Sequence, residues 1–150
     1  MVILFALAVY LIGLSLPVKH TATVTATIKS PPDAVWRRVT TFAEYPSWRK
    51  NVRSVETVSP NEWVETDDSG DKIPYRITVL EDKKKAKVEI TGQDLQFGGH
   101  WIIELNGKGD ATEVTITENG EVYNALFRVM SKFIFGHDAT IKQYLHYLVL

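Results

Sequence analysis

The 150-residue sequence contains no cysteine. This absence excludes disulfide bonds, thiolate catalysis and the cysteine-ligated zinc and iron–sulfur sites. Other catalytic signatures are also missing, since the sequence has no H-E-x-x-H zinc motif, G-x-S-x-G nucleophile motif, phosphate-binding P-loop or dinucleotide fingerprint. We therefore predict neither a metal site nor a cofactor, and we assign no catalytic residue.

A strong charge of either sign is absent as well. The formal net charge is -1, so no overall field attracts a nucleic acid or an acidic partner, and we predict no nucleic-acid binding. Hydrophobic residues make up 45% of the chain and charged residues 23%, which is an ordinary globular composition. A chain of this length suits a single folded domain.

One long apolar run is present, at residues 2–16, and Pro17 and Lys19 follow it. As a helix the run would span about 22 Å, against about 30 Å for the hydrocarbon core of a bilayer. We predict that residues 1–17 form a hydrophobic membrane anchor and residues 18–150 the folded domain. A cleaved signal peptide, or a helix or strand packed on the domain, are the alternatives.

The charges around the apolar run predict its orientation. Lys19, Lys29, Arg37 and Arg38 follow the run, and no lysine or arginine precedes it. The positive-inside rule then predicts a membrane-anchored protein with its domain on the cytoplasmic side. The signal-peptide alternative would instead make the domain an exported one.

Polar and apolar residues alternate through much of the domain. Threonine alternates with alanine, valine and isoleucine from His20 to Ile28, which is typical of a strand with one face on a core. Two short helical segments follow, around Trp36 and Tyr45. Further alternating segments, separated by polar turns, predict about six more strands in an antiparallel meander.

The period changes after Tyr123. Apolar residues recur at helical spacing from Leu126 to Leu148, which predicts a long C-terminal helix, bent or interrupted near residues 136–138. The predicted fold is α+β, with a curved antiparallel sheet wrapped around this helix, two short helices after the first strand and an N-terminal hydrophobic helix. A sheet that wraps a helix readily leaves a cavity between the two.

Several segments, in the right order, resemble the START-like, helix-grip superfamily (SRPBCC), and within it the polyketide cyclase/dehydratase and lipid-transport family. The resemblance extends over about residues 20–150. It rests on ATIKSPPDAVW (26–36), FAEYPSW (42–48), GHW (99–101), ATEVTITE (111–118) and IKQYL (141–145). It implies a helix-grip fold and an apolar pocket. The family spans lipid carriers, hormone receptors and ring-closing enzymes without a shared catalytic signature, so the fold alone does not define the activity.

The predicted pocket is lined by side chains that strand alternation and helical spacing turn inward. Tyr75 would add a polar hydroxyl and Met130 an adaptable contact surface. Core packing is the alternative role for these residues. The candidate ligand-binding residues are Tyr75, Ile77, Trp101, Ile103, Val114, Ile116, Glu118, Phe127, Met130 and Ile134.

Glu118 is the most polar of these candidates. If Val114 and Ile116 face the interior, alternation places Glu118 on the same side, where a partly buried carboxylate can orient a ligand or act as acid or base. Fraying at the end of the strand would instead leave Glu118 solvated. Glu65, on the same face as Trp63, is a weaker candidate of the same kind.

The other charged groups are interpreted as surface features. The clusters at 48–53 and 83–85 are expected on solvated faces, or against anionic headgroups if the membrane anchor exists. His137 and Asp138 are expected at a helix cap or on the surface, with a binding role as the alternative. His100 is expected to face solvent because its neighbour in the alternation points inward.

Three functional hypotheses follow from the predicted fold. The first is a module that binds an acyl chain, isoprenoid or polycyclic molecule in an apolar cavity. The second is an enzyme acting on a polyketide-like substrate, with Tyr75, Arg76 or Glu118 as acid–base groups, although alternation points Arg76 outward. The third is a scaffold or assembly factor with a filled core. We predict binding of a hydrophobic, lipid-like small molecule, and we disfavour the enzyme.

Overall fold

A seven-stranded antiparallel sheet dominates the computed structural model, which describes residues 2–149. Its strands are β1 Lys19–Ile28, β2 Val52–Ser59, β3 Glu62–Asp67, β4 Lys72–Glu81, β5 Lys85–Ile90, β6 Phe97–Lys108 and β7 Ala111–Val122. Consecutive strands pair from β2 to β7, and β1 joins the sheet beside β7. Met1 and Leu150, at the outer ends of the two predicted ranges, lie outside the described residues.

Helices precede, interrupt and follow the strands. They are α1 Val2–Ser15, α2 Pro32–Thr40, a 3₁₀ turn Phe42–Glu44, α3 Tyr45–Trp48, α4 Ala125–Met130, a π-helical turn Ser131–Phe135 and α5 Ala139–Leu148. The predicted α+β class is therefore confirmed, with two short helices after the first strand, an N-terminal helix and C-terminal helices that accompany a curved sheet.

The pairing of β1 with β7 follows from their matched alternation. The register runs without a break from Lys19 opposite Glu121 to Ile28 opposite Thr112. Threonines on the outer face are hydrogen-bonded in cross-strand pairs, which are among the contacts that stabilise neighbouring strands. The apolar residues between these threonines face the core.

The predicted long C-terminal helix is divided into α4, the π-helical turn and α5. The break falls at Gly136, whose φ is +79°, a backbone conformation that favours glycine. The large apolar side chains that this segment places in the core belong to α5 and are Ile141, Tyr144, Leu145 and Leu148. The helix that the sheet grips is thus the short α5, and α4 lies towards the end of the sheet.

The membrane prediction is wrong. Helix α1 has 14 residues, about 21 Å at 1.5 Å per residue. Nowhere in residues 2–149 is a helix long and apolar enough to cross a membrane. The predicted transmembrane helix and membrane anchor at 1–17 are therefore corrected, and with them the membrane-anchored location with a cytoplasmic domain. The division of the chain into 1–17 and 18–150 stays a prediction.

Helix α1 packs instead on α4, at a point where glycine is required. Gly13 is buried, and a Cβ added there would lie 2.1 Å from the carbonyl oxygen of Ala125. Arg128 adds a polar contact, since its Nη1 donates a hydrogen bond of 2.7 Å to the carbonyl of Leu16. The end of the apolar run is therefore held by protein contacts.

We expect Gly13→Val to separate α1 from α4, because the added side chain overlaps the backbone of Ala125. Overpacking costs about 1–3 kcal/mol, and each kcal/mol lowers the unfolding temperature of a chain of this size by about 2–4 °C. Thermal unfolding followed by circular dichroism measures the change. Ala8→Val, at an exposed position of α1, is the control. Equal midpoints for the two variants would contradict this packing.

Candidate functional site

The sheet residues predicted to bind a ligand lie together on the concave face. Trp101 is directly opposite Glu118 in the β6–β7 pair, and Ile103 is opposite Ile116. Their neighbours on the same face are partly or fully buried. The residues that the structure brings together here are Tyr75, Ile77, Trp101, Ile103, Val114, Ile116 and Glu118.

The helical residues predicted for the same pocket are located elsewhere. Phe127 on α4 is 46% exposed, and Ile134 in the π-helical turn is 67% exposed. Met130, at the end of α4, is half-buried. Helical spacing alone could not separate these residues from those of α5, because the π-helical turn and the break at Gly136 change which side of the segment faces the sheet.

Glu118 is held by three side chains at the end of the concave face. Its Oε1 lies 2.7 Å from Nε2 of His20, and its Oε2 accepts hydrogen bonds from Trp101 Nε1 at 2.5 Å and Thr140 Oγ1 at 3.3 Å. The Glu118 side chain is 15% exposed and that of His20 12%. Strand β7 continues to Val122, so the alternative of a frayed, solvated Glu118 is wrong.

His20 reaches Glu118 across a glycine. His20 is opposite Gly120 in the β1–β7 register, and a Cβ at Gly120 would lie 2.4 Å from the imidazole. An ionised carboxylate only accepts hydrogen bonds, so His20 carries a proton on Nε2 when it bonds Glu118. The sequence analysis missed His20, whose only signal was that it is in phase with the inward-facing residues of β1.

His137 stacks on His20 at the outer side of this group. The ring centroids are 4.2 Å apart and the planes differ by 18°. The Nδ1 atom of His137 is 3.1 Å from Ser131 Oγ, while Asp138 occupies the N-cap position of α5 and pairs with Lys142 at 2.6 Å. Burial first, and then the neighbouring His20, lower the pKa of His137 below its usual value.

A small cleft opens beside the two histidines. Its volume is about 60 Å³, enough for a few water molecules. One side is apolar and the other carries nitrogen-containing side chains. The lining residues are Leu16, Pro17, Val18, Val122, His20, His137, Arg128 and Lys132. The cleft therefore joins the fixed carboxylate of Glu118, through His20, to the surface of the protein.

A second cleft, of about 290 Å³, shares none of its lining residues with the first. It is formed by α2, α3 and the end of α5, where Arg37, Glu44 and Ser47 make much of its wall polar. Within residues 2–149, no three histidine, cysteine, aspartate or glutamate side chains are placed to hold a metal ion.

A buried ion pair occupies the deeper part of the interior. Arg49 Nη1 is 2.8 Å from Glu65 Oε1, and the two side chains are 12% and 5% exposed. Trp63 Nε1 donates to the same carboxylate oxygen at 3.1 Å, and the guanidinium lies over the rings of Tyr45 and Tyr144. The prediction of a solvated face for the cluster at 48–53 is wrong for Arg49, because its partner comes from another strand.

Aromatic rings fill the space around this ion pair. Trp63 stacks on Phe42 with centroids 4.4 Å apart and on Tyr75 at 5.5 Å, while Trp101 meets Tyr144 edge-on at 5.3 Å. Burial raises the pKa values of Tyr75 and Tyr144 well above the usual range. Both hydroxyls therefore stay protonated, and neither is suited to act as a base.

The remaining charged groups lie where the alternation places them. The side chains of the cluster at 83–85 are exposed and ion-paired with carboxylates. Arg76 points outward, 45% exposed and 2.6 Å from Glu62. His100 is half-buried, within 3.3 Å of the amide nitrogen of Asn119. None of these groups converges on Glu118.

A curved antiparallel sheet that grips a C-terminal helix, with short helices after its first strand, defines a START-like domain. The family model described as "Polyketide cyclase / dehydrase and lipid transport" matches residues 19–138. The chain therefore belongs to the polyketide cyclase/dehydrase and lipid-transport family. This family and fold are consistent with the binding of a hydrophobic ligand. A comparison with the curated proteins finds no match.

Solved structures share the fold at low sequence identity. A START superfamily protein from Mycobacterium smegmatis has 12% identity and a TM-score of 0.72, over 87% of this chain and 94% of that one. A conserved protein from Geobacillus kaustophilus has 13% identity and a TM-score of 0.73, over 87% and 93%. Norcoclaurine synthase from Thalictrum flavum has 11% identity and a TM-score of 0.68, over 88% and 92%. These likenesses concern the fold alone.

Removal of Glu65 should destabilise the protein strongly. The Glu65→Ala variant leaves the Arg49 guanidinium buried without its carboxylate, which costs about 3–5 kcal/mol of the free energy of unfolding. Urea denaturation measures the loss. Glu62→Ala is the matched control, since it removes a half-buried, ion-paired carboxylate near the surface of the same strand and should have a small effect. Similar losses of unfolding free energy in both variants would show that the buried Arg49–Glu65 pair stabilises the fold no more than the Glu62–Arg76 pair does.

The lowered pKa of His137 makes stability depend on pH. The unfolded chain binds a proton at about pH 6.5, whereas folded His137 resists protonation, so the free energy of unfolding should decrease as the pH falls from about 7.5 through 6.5. The surrounding charged and titratable groups are His20, Glu118, Lys132 and Asp138.

The test compares urea denaturation at pH 7.5 and pH 5.5. His137→Gln should reduce the pH-dependent loss of stability, whereas His146→Gln, at an exposed position of α5, should retain it. A loss that is identical in the wild type and in His137→Gln would refute the role assigned to His137.

Proposed function

We propose that the chain binds a hydrophobic, lipid-like small molecule between the concave face of the sheet and the C-terminal helices. The observation that supports this most is Glu118. It is a largely buried carboxylate among apolar side chains, held in one orientation by His20 and Trp101, and close to a cleft. Buried polar groups fixed in this way are suited to orient a ligand in an otherwise apolar site.

The apolar part of the ligand would lie against Trp101, Ile103 and Ile116, and a polar group would meet the His20–Glu118 pair. A cleft of about 60 Å³ is much smaller than the roughly 300–1,000 Å³ of a small-molecule pocket. Entry of a ligand therefore requires the segment of α4 and the π-helical turn to move.

The segment of α4 and the π-helical turn has the composition expected of a surface that packs against a ligand. It carries large apolar side chains that are poorly buried by protein, namely Leu126, Phe127, Phe133, Ile134 and Phe135. The break at Gly136 separates it from α5, which stays fixed in the core. A displaced segment could turn these side chains onto a bound molecule, so that Phe127, Met130 and Ile134 would contact the ligand as the sequence predicts.

The enzyme hypothesis has less support. Of the acid–base groups considered for it, Arg76 points away from the concave side and Tyr75 is packed on Trp63 with a raised pKa. Of the three, only Glu118 is close to the cleft, where it is bonded to the lining residue His20. The scaffold hypothesis gains support from the aromatic rings that fill the deeper interior, and it becomes the conclusion if no ligand is found.

Native mass spectrometry of the full chain, purified without detergent, tests the proposal. We expect a discrete co-purifying mass or a complex formed with added lipid extract. Met130→Trp should lower its occupancy, because overpacking of about 1–3 kcal/mol weakens binding about 5- to 150-fold. Val58→Trp, an exposed apolar position on β2, is the matched control.

A chain that stays free of ligand after mixing with lipid extract would refute the proposal in favour of a scaffold. Unchanged occupancy in Met130→Trp would place the ligand away from α4. Thermal unfolding of both variants confirms that they are folded before the occupancies are compared.

A further inference from the structure

Two cationic side chains at the cleft have no anionic partner among residues 2–149. Arg128 is half-buried on α4, and Lys132 lies one turn later in the π-helical turn; both line the cleft. Throughout residues 2–149, no carboxylate lies within ion-pair distance of either of them. An arginine in such a position is normally paired with a carboxylate or a phosphate.

The hydrogen bonds of Arg128 are incomplete as well. Nη1 donates to the carbonyl of Leu16, but Nε is buried and, among the described residues, has no acceptor. An unsatisfied buried donor costs about 1–3 kcal/mol, more when it is charged. The guanidinium can donate further hydrogen bonds, and its planar shape fits a carboxylate or phosphate.

The carboxylates near the cleft are already engaged. Glu118 is bonded to His20 and Trp101, and Glu121 faces Lys19 at 3.7 Å and accepts a hydrogen bond from Tyr123. Asp138, beyond the histidines, pairs with a lysine of α5. Among the described residues, therefore, no carboxylate neutralises the positive charge of Arg128 and Lys132.

The opposite wall of the same cleft is apolar, formed by Leu16, Pro17, Val18 and Val122. Cationic groups beside an apolar wall match a molecule that has an anionic end and a hydrophobic body. We propose that the ligand is an anionic amphiphile, whose carboxylate or phosphate is bound by Arg128 and Lys132 while its apolar part extends towards the concave face. This inference rests on the proposed function and names the class of ligand for the same site.

Isothermal titration calorimetry of the full chain with octanoate and with 1-octanol tests this inference. The two probes have the same chain length and differ in charge. We expect octanoate to bind at least about tenfold more tightly, since a hydrogen bond to a charged group is worth about 1.5–3 kcal/mol. Arg128→Gln and Lys132→Gln should each weaken octanoate binding about tenfold and leave octanol binding unchanged. Lys108→Gln, an exposed position on β6, is the charge-matched control.

The other possible outcomes of the titration distinguish failure of this inference from failure of the proposed function. Equal affinities for octanoate and 1-octanol would overturn the anionic ligand and leave the proposed hydrophobic binding intact. Absence of binding for both probes would count against the proposed function itself. Acetate or inorganic phosphate that binds as tightly as octanoate would overturn the inference, because the site would then recognise a free anion without an apolar body.

Discussion

The pairing of the first strand with the last constrains both the fold and the candidate site. Because β1 lies beside β7 in unbroken register, the chain that enters β1 and the chain that leaves β7 meet at one end of the sheet, where Val122 N–H donates to the carbonyl of Val18. Helices α1 and α4 extend from that end and pack on each other through Gly13. The cleft is thus assembled from residues about a hundred positions apart in sequence.

One glycine of β7, Gly120, allows His20 and Glu118 to contact each other. At Gly120 the sheet has no side chain, so the imidazole of His20 lies across β7 and reaches Glu118, which stands diagonally from it in the register. Any larger residue at this position would displace the ring and leave Glu118 with fewer donors. A buried carboxylate without donors is costly, so the orientation of Glu118 depends on the absence of a side chain two residues away.

The deeper interior and the cleft satisfy their charges in different ways. Inside, Glu65 is bonded to Arg49 and Trp63, and the tyrosine rings lie against the guanidinium, so the charge of this pair is neutralised by groups of the protein. At the cleft, no carboxylate among the described residues forms an ion pair with Arg128 or Lys132. In the proposed function, the inner part is the stable core and the cleft is where the ligand binds.

The alternation of residues predicted the sheet well, because strand geometry is local and its period of two is directly visible. It also placed Trp101 and Glu118 on one face, as found. Local patterns could not predict contacts between distant strands. Because Arg49 lies next to other basic residues in the sequence, it was predicted to be solvated. It is buried because it pairs with Glu65 on β3, a contact that the local pattern does not show. His20 was missed for the same reason.

The apolar run at the N-terminus illustrates a different limit. A helix that is hydrophobic on all sides has the same composition whether lipid or protein covers it, so its sequence alone does not decide between them. Its length was visible in the sequence, whereas the contact with α4 at Gly13 depends on where Ala125 lies in the fold. Arg128 links these parts, because one of its nitrogens holds the end of α1 while another is left without an acceptor beside the cleft. The position of α1 and the cationic character of the cleft therefore depend on the same side chain.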